Sequence, residues 1–153
     1  MSSETKGLLI LQDIQDAIAE LAEQVTPTVV NVSPIRKIIP SGKGLQERGA
    51  KVPGSGSGIV IHEDGYIVTN NHVIGTATDI EIRFSDKTIL IGNIVGRDAD
   101  TDIALLKVEA NQKLKSAKFG DSSTVKVGQW VLAVGNPFGL DRTVTLGVVS
   151  GIA

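Results

Sequence analysis

Apolar residues change their spacing twice along this chain. Leu11, Ile14, Ile18, Leu21 and Val25 recur at helical intervals, with Asp13, Asp16, Glu20 and Glu23 on the other faces. This spacing predicts one amphipathic helix that ends before Pro27. Its apolar stripe requires a partner surface, either its own domain or a second subunit. After Pro27 the period shortens, and Val29, Val30 and Val32 form a β-branched run. From Ile59 onward short apolar stretches alternate with turn residues. Ile59 to His62 and Tyr66 to Thr69 flank Glu63-Asp64-Gly65, a hairpin signal. Ile80, Ile82 and Phe84 alternate with Glu81 and Arg83 as a half-buried strand should. Thr88 to Val95, Ile103 to Val108, Trp130 to Val134 and Val144 to Ile152 complete the set. Strands at this spacing, with no helical pattern between them, predict a β-sandwich or barrel.

Two stretches resist this pattern. Residues 33 to 56 hold Pro34, Pro40, Gly42, Gly44, Gly49, Pro53 and Gly54, with Arg36, Lys37, Lys43, Arg48 and Lys51 against a single acid, Glu47. So long an irregular segment in a compact domain is either disordered or an assembly or regulatory loop. The run Gly54-Ser55-Gly56-Ser57-Gly58 suggests a phosphate cradle, but a cradle follows a strand and opens a helix. This run follows a loop and opens a strand, so its small residues are read as permitting close packing where the strand begins.

Composition removes whole classes of function. The 153 residues are 41% apolar and 21% charged, ordinary for one globular domain. A net charge of −2 and 3% aromatics leave no basic footprint or stacking platform for nucleic acid. The absence of cysteine excludes disulfides, thiolate metal sites and a thiol nucleophile. No stretch reaches the ~18 apolar residues of a membrane span. Leu8 to Leu11 is too short for a signal-peptide core, so no targeting segment is read here. No cofactor is expected. A metal site from His62, Glu63, Asp64 and His72 is set aside, because the histidines lie across a turn at mismatched positions and no ligand set emerges.

The candidate chemistry lies in two motifs. In Thr69-Asn70-Asn71-His72-Val73-Ile74 an apolar strand breaks into polar residues and ends at a histidine. Strand exits are where functional side chains tend to sit, although a lone histidine is more often structural. In Asp100-Thr101-Asp102-Ile103-Ala104-Leu105-Leu106-Lys107-Val108 a carboxylate stands at the mouth of an apolar strand, where it either caps the strand, sits solvated in a turn or orients a base. Together the two motifs resemble those of the HtrA/DegP proteases, a branch of the trypsin-like fold. Gly56-Ser57-Gly58-Ile59-Val60-Ile61, Val134-Gly135-Asn136-Pro137-Phe138-Gly139-Leu140 and Thr143-Val144-Thr145-Leu146-Gly147-Val148-Val149-Ser150 agree in the same order.

That resemblance, which runs from Val25 to Ala153, implies an all-β, trypsin-like β-barrel with one N-terminal helix. The expected division is a helical segment over 1–26, the first barrel over 27–129 and the opening strands of a second barrel over 130–153. It implies His72 as general base and Asp102 as the residue that orients it and stabilises its charged form. Asp98 and Asp100 are read as solvated turn residues. It also implies unfolded or misfolded protein substrates, a homo-oligomer (a trimer in intact relatives) and a periplasmic or otherwise extracytoplasmic location.

The family's nucleophile sits in a Gly-Asn-Ser-Gly-Gly-type loop, which also supplies the oxyanion hole, and these residues contain no such segment. Ser55, Ser57, Ser122, Ser123 and Ser150 all lack the required neighbours. Losing a triad nucleophile costs on the order of 10⁶ in turnover, and losing an oxyanion-hole donor a further ~10²–10³. The chain is therefore expected to be inactive alone. The alternative is a protease-derived binding or assembly module that keeps the barrel without the chemistry. An incomplete second barrel should leave Val131, Val144, Val148 and Ile152 uncovered, and self-association, strand exchange or disorder is expected beyond Gly128.

Overall fold

The computed structural model describes residues 3–35, 55–136 and 143–152. Helix α1 (Ser3–Val25) stops where Pro27 cannot continue it, and the Thr26 and Thr28 hydroxyls donate to the carbonyls of Ala22 and Val25 in its last turns. The expected stripe is barely covered. Ile14 and Ile18 are half-buried, while Leu11, Leu21 and Val25 stay exposed. Docking of the whole stripe on its own domain is therefore not what the chain does.

Six antiparallel strands close into a barrel: β1 (Val29–Ile35), β2 (Gly56–His62), β3 (Tyr66–Asn70), β4 (Asp79–Arg83), β5 (Ile89–Asp98) and β6 (Ile103–Val108). The order around it is β1-β2-β3-β6-β5-β4, and β1 pairs with both β2 and β4 to complete the ring. Alternate residues point inward, as the two-residue period requires. Val30, Val32, Val60, Ile67, Ile80, Ile82, Leu106 and Val108 fill the interior with no polar atoms to satisfy. Gly65, at φ +97°, turns β2 into β3, and a Cβ there would meet the Val108 carbonyl at 2.4 Å.

Several expected boundaries move. β1 runs on through Ser33, Pro34 and Ile35, which pair with β4, so the irregular segment begins later than its proline content suggests. β2 begins at Gly56 rather than Ile59. Residues 36–54, which hold most of the basic loop, lie outside the described residues. β5 continues to Asp98 past a bulge at Val95 that breaks its alternation. A separate two-stranded ribbon joins β7 (Trp130–Gly135) to β8 (Thr143–Val148). β8 ends four residues before Ile152, because only Gln129 and Gly128 remain opposite, exchanging backbone hydrogen bonds with Val149. Its apolar residues are uncovered, as expected, but the described part is a regular ladder rather than disordered chain.

Candidate active site

The chain places His72 and Asp102 side by side. β3 and β6 are neighbours, with Asn70 opposite Ile103, so the end of β3 meets the start of β6. His72 is not on the strand itself. β3 stops at Asn70, and a single helical turn, α2 (Asn71–Ile74), carries the ring. Ile74 is buried in the core, and Val73 packs so closely on Gly56 that a Cβ at that glycine would meet it at 2.6 Å. The small residues at the start of β2 thus make room for the histidine turn.

Asp102 grips this turn through both its backbone and its side chain. It adopts φ +56°, a left-handed conformation that aspartate tolerates better than most residues. Its carbonyl accepts from the Asn71 N–H at 3.0 Å and from Asn70 Nδ2 at 3.3 Å. Its Oδ1 accepts from the His72 N–H at 2.8 Å, and its Oδ2 lies 2.6 Å from His72 Nδ1. Asn70 Nδ2 also reaches Oδ2, at 3.2 Å. The His72 backbone N–H, followed by the His72 ring, holds the Asp102 carboxyl below the usual aspartate range. Asp102 therefore stays a carboxylate that can only accept, and Nδ1 of the neutral ring must carry the proton. The lone pair is left on Nε2, and the ring is 71% exposed, open to a reactant.

The other candidates fall into place around this pair. Asp98 is the last residue of β5, opposite Ile103, rather than a turn residue, and its side chain accepts from the Asp100 N–H at 2.9 Å. His62 sits at the opposite end of β3 from His72 and contacts Asp64, so the two histidines share no site. Among the described residues no group of three or more His, Cys, Asp or Glu side chains is arranged to hold a metal ion. Two of the candidate serines bond away from His72. Ser57 Oγ accepts from the Asn136 N–H, and Ser123 Oγ donates to Asp121. Sequence reasoning assigned no role to Asn70, Asn71 or Arg97, all of which bond within the site. The polar run before His72 was the signal for the two asparagines.

A histidine on the turn after one strand, held by a carboxylate just before the neighbouring strand of a closed barrel, is the arrangement of the trypsin-like peptidases, and the chain belongs to that family. The family's trypsin-like peptidase domain matches residues 56–153. Within the family the chain falls in the HtrA/DegP branch. It is 40% identical over 183 aligned residues to a probable periplasmic serine endoprotease DegP-like of Pseudomonas savastanoi, covering 94% of this chain and 38% of that protein. The protein of the same name in Pseudomonas fulva is 50% identical over 111 residues, 72% of this chain and 22% of its own length. That of Hahella chejuensis is 39% identical over 153 residues, covering 85% and 32%. The chain thus spans well under half the length of these relatives. Among the described residues no helix is long and apolar enough to cross a membrane.

Proposed function

We propose that this chain supplies the base and its orienter for a serine endopeptidase of the HtrA type, working in protein quality control on unfolded or misfolded proteins. His72 Nε2 takes the proton of a serine hydroxyl and returns it to the leaving amine, while Asp102 fixes the tautomer and stabilises the imidazolium. The observation that carries this reading is the 2.6 Å contact between His72 Nδ1 and Asp102 Oδ2, together with the second bond from Asp102 Oδ1 to the His72 backbone. An exposed ion pair alone would be worth little. Two bonds from one carboxylate to the ring and backbone of one histidine instead fix an orientation.

The barrel of residues 27–129 is read as the first of two, and 130–153 as opening strands of the second. The periplasmic location in the relatives' names supports an extracytoplasmic setting, and homo-oligomerisation is the expected assembly. These 153 residues alone should not hydrolyse peptides, since no serine in them has the setting of a nucleophile. Incubation with casein and a serine-reactive phosphonate tests this. No cleavage and no labelling are expected, and robust labelling of any serine would overturn the assignment. The second reading, a binding or assembly module without chemistry, draws on the uncovered α1 stripe and β7–β8 ribbon. It requires that substituting His72 leave partner binding unchanged.

A further inference from the structure

One strong contact at the site is made by a residue outside the base-and-orienter pair. Arg97 lies near the end of β5, past the bulge. Across the β5–β6 ladder Ile94 opposes Leu106 and Arg97 opposes Ala104. Leu106 and Ala104 are two residues apart on β6, and both are buried in the barrel. Their partners on β5 are three apart, so Val95 is an inserted residue. In an unbulged ladder Gly96 would oppose Ala104, and Arg97 would oppose Ile103, whose side chain is exposed on the barrel's outer face. The bulge therefore moves Arg97 from the outward set to the inward set at the open end of the barrel, the re-aiming for which bulges are used beside functional sites.

The re-aimed guanidinium makes two bonds. Nε donates to Asn71 Oδ1 at 2.9 Å, and a terminal nitrogen donates to the Gly75 carbonyl. Asn71 and Gly75 bracket the turn that carries His72, and the Gly75 N–H closes that turn by donating to the Asn71 carbonyl at 3.1 Å. Arg97 is itself exposed and pairs with no carboxylate among the described residues, so neither burial nor an ion pair dictates its position. The planar fork of arginine presents two nitrogens to the two acceptors in a fixed geometry, whereas a lysine ammonium is a point charge on a flexible stem.

We propose that Arg97 is a positioning residue. It clamps both ends of the one-turn helix that carries His72, and thereby holds the ring on Asp102 while the bulge at Val95 holds the clamp in place. This deepens the proposed function and rests on the reading of His72 and Asp102 as the working pair. Arg97 touches neither the ring nor any reacting atom, and acts only through the turn.

Nuclear magnetic resonance on the full 153-residue chain tests it. Arg97→Ala should speed exchange of the His72 and Gly75 amide protons about tenfold, the loss of roughly one hydrogen bond's worth of local protection. It should also broaden away the His72 Nδ1 proton signal, while Ile67 and Leu106 in the barrel keep full protection. Arg97→Lys should restore only part of the effect, and Asn71→Ala should reproduce it, with the double variant no worse than the more affected single one. Unchanged exchange at both amides in Arg97→Ala overturns the proposal, as does protection lost evenly along β5 and β6, which would make Arg97 merely structural. Asp102→Asn separates the two ways of failing. If it leaves the Nδ1 signal intact, the pair itself is misread and the clamp falls with it. If it removes the signal and Arg97→Ala does not, the clamp alone is wrong.

Discussion

The barrel and the β7–β8 ribbon are built from the same kinds of residue and end in opposite states. Val30, Val32, Val60, Ile80 and Ile82 are wholly buried, while Val131, Val144, Leu146 and Val148 are each more than two-fifths exposed. Both regions are antiparallel ladders. The difference is closure. In the barrel every strand has two neighbours, so its inner faces cover one another and no edge is left. Among the described residues the ribbon has two open edges and no opposing sheet. β propensity makes the ladders, and closure makes the core. The closed region is also the one that carries His72 and Asp102, and the ribbon meets it at a small polar seam. Asn31 Nδ2 donates to the Asn136 carbonyl at 2.8 Å, and the Asn136 N–H donates to Ser57 Oγ at 2.8 Å.

If closure is what separates the regions, substitutions should separate them too. Leu106→Ala, in the middle of the sealed interior, should cost about 2–5 kcal/mol in urea unfolding. A cost below ~1 kcal/mol would mean the barrel is looser than its burial suggests. Asn31→Ala strips a buried partner from the seam and should cost about 1–3 kcal/mol. Its effect should appear in the fluorescence of Trp130, the single tryptophan, with barrel amide protection unchanged. A barrel that loosens together with the ribbon would erase the distinction between them.

A smaller effect concerns Asp102. Its folded-state carboxyl titrates below its ordinary value of 3.8, so the stability it contributes is present above that value and is lost as pH falls through the lowered one. The melting temperature of the chain should exceed that of Asp102→Asn at pH 6, and the two should converge as pH falls through the lowered value. A gap that widens in acid would reverse the sign and the assignment with it. Smallest of all, Val131→Ser on the ribbon should stay within about 0.5 kcal/mol of the parent in the same urea assay.

Much of the fold was legible in the sequence because its strands obey a strict period. Ile80-Glu81-Ile82-Arg83 and Ile103 to Val108 could be placed without a structure. The boundaries that moved are those where period fails for a physical reason. The bulge at Val95 hides the end of β5, glycines replace the apolar signal at the start of β2, and a proline in β1 imitates a loop. At the site, the apolar runs beside His72 and Asp102 marked each one singly, and they were legible as a pair through the resemblance of their motifs to the HtrA/DegP proteases. The helical turn that carries the ring was not, since four residues set no period. Arg97 was hidden more completely. Counted by simple alternation it faces away from the site, and only the inserted residue turns it inward.

The central claim is that His72 and Asp102 are a working base and orienter, and rate measurements test it most directly. The chain would be joined to the serine-bearing segment of a DegP-like relative and assayed for casein cleavage. Cleavage should appear with the joined segment, fall by on the order of 10⁶ with His72→Ala, and fall by ~10⁴ with Asp102→Asn. A joined protein that cleaves casein and keeps more than about a tenth of its rate with His72→Ala, well short of the loss a triad histidine brings, would contradict the account.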